Sequence, residues 1–127
     1  MLPKNESSIK ANRDRCLFDM AGFHASTGRG GIIEGDKIQA STVRKKPGAG
    51  PRLHTHANEQ FNYVLKGTLR VKIGERAESL AGAGTLVYIP ANVPHYTIAT
   101  DDGEVEYFVV KDTSDKMHGD YAMTDQK

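Results

Sequence analysis

The chain reads as an all-β domain, an antiparallel sandwich or barrel, on three observations. From Lys37 onward, short β-like runs recur at nearly regular spacing, divided by Gly, Pro or Asp. Thirteen glycines against four methionines suit turn-rich β structure better than a helical bundle. No long amphipathic helical repeat breaks the series.

Taken in order, residues 1–25 carry mixed charge and an apolar cluster, Leu17, Phe18, Met20 and Phe23. Spacings of three and four fit one or two helical turns, which Gly22 interrupts. Gly28, Gly30, Gly31 and Gly35 surround Ile32 and Ile33, which reads as turns around a short strand. The patch lacks the Lys of a phosphate-binding loop. Strands are expected over 37–45, 52–56, 60–65, 68–73, 85–89, 95–99 and 104–110. Their breaks fall at Pro47-Gly48, Lys66-Gly67, Gly74, Gly82-Ala83-Gly84, Pro90 to Pro94 and Asp101-Asp102-Gly103. The expected organisation is an N-terminal segment 1–36, a barrel 37–112 and a polar tail 113–127.

Composition excludes several classes. At 127 residues one domain is expected, and 17 basic against 16 acidic residues leave a net charge of +1. That balance gives no electrostatic footprint for nucleic acid. No run approaches the roughly 18 apolar residues of a membrane span. Met1 to Glu6 runs into polar residues where a signal peptide would need its apolar stretch, so a cytoplasmic location is expected. The single Cys16 allows neither an intrachain disulfide nor a thiolate cluster, and is expected to be a small buried or half-buried thiol.

The histidines carry the chemistry. His54 and His56 stand two apart, so in an extended strand both imidazoles project into one space. Gln60 can enter that space if the chain bends at Ala57-Asn58, and His95 arrives from far downstream after the Pro90–Pro94 corner. Neutral imidazoles suit Zn, Fe, Ni and Cu, and an amide oxygen from Gln60 extends the range to Mn. On spacing alone, His54 and His56 could equally be a polar surface pair. His24 and His118 have no ligand-like context and are read as surface or packing residues.

Gly48-x5-His54-x-His56-x3-Gln60-x6-Gly67 resembles the first cupin motif, and Gly84-x5-Pro90-x-Asn92-x2-His95-x3-Ala99 resembles the second. The resemblance implies a jelly-roll β-barrel of about six to eight strands. It also implies one divalent transition metal per chain (Mn, Fe, Ni or Zn), held in the barrel mouth by His54, His56, Gln60 and His95. Single-domain cupins are commonly homodimers, with Leu17 to Phe23 the expected contact here. Three positions depart from the pattern. Gln60 stands where many cupins have Glu, with Glu59 one place earlier. Asn92 replaces the usual Gly, which Asn tolerates because it enters left-handed geometry. Ala99 replaces the usual Asn.

Strand alternation extends the site. Asn62 and Val64 share the face of Gln60, with Phe61, Tyr63 and Leu65 opposite, and Thr97 and Ala99 share that of His95. On the last strand Glu106 and Phe108 share a face and Tyr107 takes the other. Resemblance to small cupins acting on unsaturated uronates implies that Glu106 and Phe108 face the metal, with Glu106 moving a proton. The plain alternative puts Glu106 on the solvent face of an edge strand. Arg44, Lys45, Lys46 and Arg52 form a basic stretch that reads as a solvated rim. Arg52 has the parity of His54 and could clamp a substrate carboxylate.

The expected substrate-binding set is therefore Arg52, Asn62, Thr97 and Phe108, with Glu106 catalytic. The leading function is Lewis-acid chemistry by a lyase or isomerase on a sugar acid or hydroxy-carbonyl compound. An iron-dependent dioxygenase and a non-catalytic small-ligand binder are the alternatives. A small-molecule substrate is the expected partner, with neither nucleic acid nor membrane.

Overall fold

The computed structural model describes residues 8–21 and 31–114. Among them are nine strands: β1 (Ser8–Lys10), β2 (Ile32–Glu34), β3 (Ile38–Lys45), β4 (Gln60–Lys66), β5 (Thr68–Ile73), β6 (Ser79–Gly82), β7 (Leu86–Ile89), β8 (His95–Ala99) and β9 (Val105–Asp112). Six make one sheet in the order β1-β2-β3-β9-β4-β7, and three make another in the order β6-β5-β8. Every pairing is antiparallel except β1 with β2. The two sheets enclose one core in which Val64, Leu69, Ile89 and Val105 are fully buried. The all-β jelly roll is thus as expected, built as two facing sheets rather than one closed ladder. No helix of the described residues is long and apolar enough to cross a membrane.

Alternation decides what each strand buries. On β4, Gln60, Asn62 and Val64 point inward and Phe61, Tyr63 and Leu65 outward. Outside, the register lines up Thr42, Phe108, Tyr63 and Leu86 in one row and Val110, Phe61 and Tyr88 in the next. This outer face carries six large apolar side chains in the open, from Phe108 at 37% exposure to Leu86 at 61%.

Four expectations change. Residues 52–56 are not a strand: only His54 pairs, with His95, as an isolated bridge. The neighbouring carbonyls are taken elsewhere, Arg52 O by the His54 ring and His56 O by the Asn92 N–H, so no ladder can propagate. Strand β6 occupies 79–82, where no strand was expected, and ends at the first glycine of the 82–84 break. The 17–23 cluster shows no helix over its described part. Phe18 and Met20 instead pack with Ile33 around Ile9, Leu17 is 94% exposed, and Phe23 lies outside the described residues. Cys16 is exposed rather than buried, with Sγ donating to the Asn12 carbonyl at 2.9 Å. Strands β1 and β2, drawn from the 1–36 segment, extend the edge of the main sheet.

Two backbone positions hold the corners. Gly67 (φ 82°) makes the β4–β5 turn so close to the β8–β9 connection that a Cβ there would sit 2.4 Å from the Glu104 carbonyl oxygen. Asn92 takes φ 62°, the left-handed geometry anticipated for it, and its N–H donates to the His56 carbonyl at 2.9 Å. That bond ties the second motif to the first.

Candidate metal centre

Three imidazoles converge from separate pieces of chain. His54 and His56 come from the connection before β4, and His95 opens β8. The backbones of His54 and His95 exchange both hydrogen bonds, at 2.9 and 3.1 Å. Their potential ligand atoms all lie within 4.8 Å of one another, and the group can hold a metal ion. Ring centroids are 4.5 Å apart for His54 and His95, and 4.7 Å for His56 and His95.

The tautomers follow from the backbone. His54 Nδ1 meets the Arg52 carbonyl at 2.7 Å, His56 Nδ1 the Asn58 carbonyl at 3.2 Å, and His95 Nδ1 the Val93 carbonyl at 2.8 Å. A carbonyl only accepts, so each Nδ1 carries the hydrogen and each lone pair lies on Nε2. Backbone carbonyls thus orient all three rings as outer partners orient metal-binding histidines. Burial, then the nearby positive charge of Lys111, lowers His56 to about 3. His95 is lowered to about 4, again by burial first, with His54, Lys111 and Lys45 adding to it. Both rings are therefore neutral near pH 7, the form that ligates.

Gln60 is buried on the inner face of β4, while Glu59 is exposed and accepts from the Tyr88 hydroxyl. Gln60 Nε2 donates to Asn62 Oδ1 at 2.6 Å, and Gln60 Oε1 accepts no hydrogen bond among the described residues. A buried amide oxygen without a donor is costly, and it marks a place where a cation would fit. Asn62 is fully buried beside it, its Nδ2 likewise without a partner, and Thr97 is buried one pleat beyond His95.

Three expected site residues lie elsewhere. Register pairs β4 with β9 through Gln60 and Lys111, Asn62 and Val109, and Val64 and Tyr107. Partners across a ladder share a face, so Val105, Tyr107, Val109 and Lys111 point inward, and Glu106 and Phe108 point out. Glu106 there meets Arg44 at 4.0 Å. Burying Tyr107 in its place spares the fold an interior carboxylate. Arg52 is exposed, because the segment that would have fixed its parity is not a strand.

Two interior cations escaped the sequence reading. Arg44, Lys46 and Arg52 are exposed as a solvated rim should be, but Lys45 is only 4% exposed and Lys111 only 3%. Each is the last residue of its strand on the inward parity, Lys45 after Gln39, Ser41 and Val43, and Lys111 after Val105, Tyr107 and Val109. That parity was the available signal. Lys45 Nζ donates to the Thr97 carbonyl at 2.7 Å and reaches Thr97 Oγ1 at 3.4 Å, 5.4 Å above the Tyr107 ring centroid.

The family model described as Cupin domain matches residues 41–111, over half of the chain. The chain belongs to the cupins. This cupin is 31% identical over 94 residues to the oxalate decarboxylase OxdC of Bacillus subtilis, a match covering 71% of this chain and 24% of the relative. It therefore spans about a quarter of that relative's length. A structure of Bacillus subtilis oxalate decarboxylase, whose study concerns its Mn(II) centres, superposes with a TM-score of 0.56 and 31% identity over 61% of this chain and 21% of the other. The fold is also shared with an RmlC-like cupin of Shewanella frigidimarina (TM-score 0.59, 18% identity, 69% and 74% covered). DMSP lyase DddQ of Ruegeria pomeroyi shares it too (0.59, 22% identity, 71% and 44% covered).

Proposed function

We propose that this cupin is a metalloenzyme of the lyase or isomerase type, acting on a small sugar acid or hydroxy-carbonyl compound. The observation that carries the reading is the set of three imidazoles with their lone pairs on Nε2, beside the donorless Gln60 oxygen. His54, His56, His95 and Gln60 would hold the metal, and all four ligands are neutral. A divalent ion so held keeps its full charge and polarises a carbonyl or hydroxyl oxygen. The protein's part is orientation: carbonyls of Arg52, Asn58 and Val93 fix the rings, and Asn62 fixes the Gln60 amide. Glu106, outside the barrel, does not reach the interior to move a proton.

Kinship to an oxalate decarboxylase supports a bond-cleaving reaction and makes Mn(II) the first metal to test. The experiment is elemental analysis of protein purified without chelator or His-tag, beside His95→Ala. Wild type should hold close to one metal per chain and the variant less than a tenth. Turnover of hydroxy-acids and uronates should vanish with chelator and return with Mn(II). Stoichiometric metal in His95→Ala would overturn the ligand set.

We further propose a homodimer through the outer face of β4, β7 and β9. Its six open apolar side chains present roughly 500 Å² of apolar surface, most of the ~800 Å² that each partner buries in a stable interface. Phe61 and Tyr88 already stack there with centroids 5.0 Å apart. A second copy of the same face is the occupant that closes such a patch by two-fold symmetry.

A further inference from the structure

We propose that Lys45 is the anchor for a carboxylate of the substrate, so that the site takes a small acid bound at one end by this ammonium and at the other by the metal. The inference rests on the metalloenzyme reading and deepens it, since the carboxylate clamp expected of Arg52 has no such residue inside the barrel. Lys45 is 4% exposed, yet no carboxylate of the described residues lies within ion-pair distance of its Nζ. Its contacts are neutral: the Thr97 carbonyl, the Thr97 hydroxyl and the Tyr107 ring face. Buried charges in proteins are almost always paired, because an isolated ammonium in a low-dielectric interior forfeits its hydration. An ammonium has three donors, and Thr97 accounts for two.

Position points to where the missing anion belongs. Thr97 lies one pleat from His95 on the same inner face of β8, and both residues are buried. The charges of Lys45 and Lys111 both act on His95. Lys111 stands directly across the ladder from Gln60. With neutral ligands on the metal, Lys45 and Lys111 bring positive charge toward the cluster, and the buried carboxylate of Glu34 lies in the row of Lys111, two strands away across Gln39, and not beside Lys45. Such a field favours a carboxylate over the corresponding amide, and the aromatic face of Tyr107 keeps the ammonium in place until the anion arrives.

The test titrates metal-loaded protein by calorimetry with malonate, succinate and glutarate, and with the monoamide of each. Wild type should prefer the best-fitting diacid over its monoamide by at least tenfold. Lys45→Gln keeps a donor to Thr97 and removes the charge. It should erase that preference while leaving metal stoichiometry unchanged. Lys45→Met, which cannot donate at all, should behave alike, so a folding defect in one variant leaves the other to decide. A preference that survives in Lys45→Gln, or a wild type that does not distinguish acid from amide, overturns the proposal. Absence of metal from wild type would instead sink the metalloenzyme reading. Comparing each diacid with its diamide on metal-free protein would then still judge Lys45.

Discussion

Taking the metal-free protein from pH 7.5 to pH 5.0 tests the histidine cluster without knowledge of any substrate. His56 is lowered to about 3 and His95 to about 4, against 6.5 for an imidazole in water. The folded state therefore binds fewer protons than the unfolded chain. Stability is full above pH 6.5 and is lost as pH falls through 6.5 toward the folded values. At pH 5.0 each imidazole in the unfolded chain gains about 2 kcal/mol from protonation, at ~1.4 kcal/mol per unit, and its folded counterpart gains almost nothing. The pair costs about 4 kcal/mol, a large share of the ~5–15 kcal/mol that holds a domain together. Asp112 and Glu78 lie below the usual carboxylate range, through hydrogen bonds from Ser114 and Arg70. They contribute only at lower pH, so the window from 6.5 to 5.0 isolates the histidines. The assay is urea unfolding of chelator-treated protein at half-unit pH steps. Unfolding should take up close to two protons, and added Mn(II) should raise stability by a similar amount across the window, because folded His56 and His95 carry no added proton even at pH 5.0. A stability that stays flat between pH 6.5 and 5.0 would refute the buried, neutral arrangement.

Other substitutions probe separate parts of the argument. Gly67→Ala places a Cβ against the Glu104 carbonyl at a positive φ, so chemical denaturation should show a loss of about 3 kcal/mol. Tyr63→Glu or Phe108→Glu puts a charge in the middle of the outer apolar face. Sedimentation should show a dimer for wild type and a monomer for either variant, with the far-UV spectrum unchanged, and a wild-type monomer would overturn the proposed interface. Glu106→Gln weakens a long contact with Arg44, 4.0 Å away and on the outside of the barrel. Its effect should stay within about 1 kcal/mol, with metal content and turnover untouched, and loss of turnover would return Glu106 to the mechanism.

Most of the fold was legible because strand periodicity is a local signal. Strands β3, β4, β5, β7, β8 and β9 fall within two residues of their expected ends, and the short strand around Ile32 and Ile33 is present as β2. What failed was either too short or decided by competition for backbone groups. Three residues of β1 and four of β6 are too few to display a period. Residues 52–56 look extended from their sequence. Whether they join a ladder depends on which groups claim the carbonyls of Arg52 and His56, and those groups are an imidazole ring and an N–H from the Pro90–Pro94 corner.

The site was legible wherever a residue's face was set by its own motif, and illegible where it depended on a partner strand. Gln60, Asn62 and Thr97 inherit their direction from short strands that also carry or adjoin a histidine, so alternation alone placed them inside. Strand β9 has no such internal marker. Its sequence Val105-Glu106-Tyr107-Phe108-Val109-Val110 offers an aromatic residue to either face. The choice is made by register with β4, where Tyr107 pairs with Val64 and Lys111 with Gln60. Because alternation has period two, that pairing moves Glu106 and Phe108 out and brings Lys111 in as one step. The same logic on β3 turns Lys45 away from Arg44 and Lys46, which looked like its companions. The interior thereby exchanges an expected carboxylate for two lysines. Under the proposal for Lys45, that exchange turns a pocket wall that would repel an acid into one that favours it.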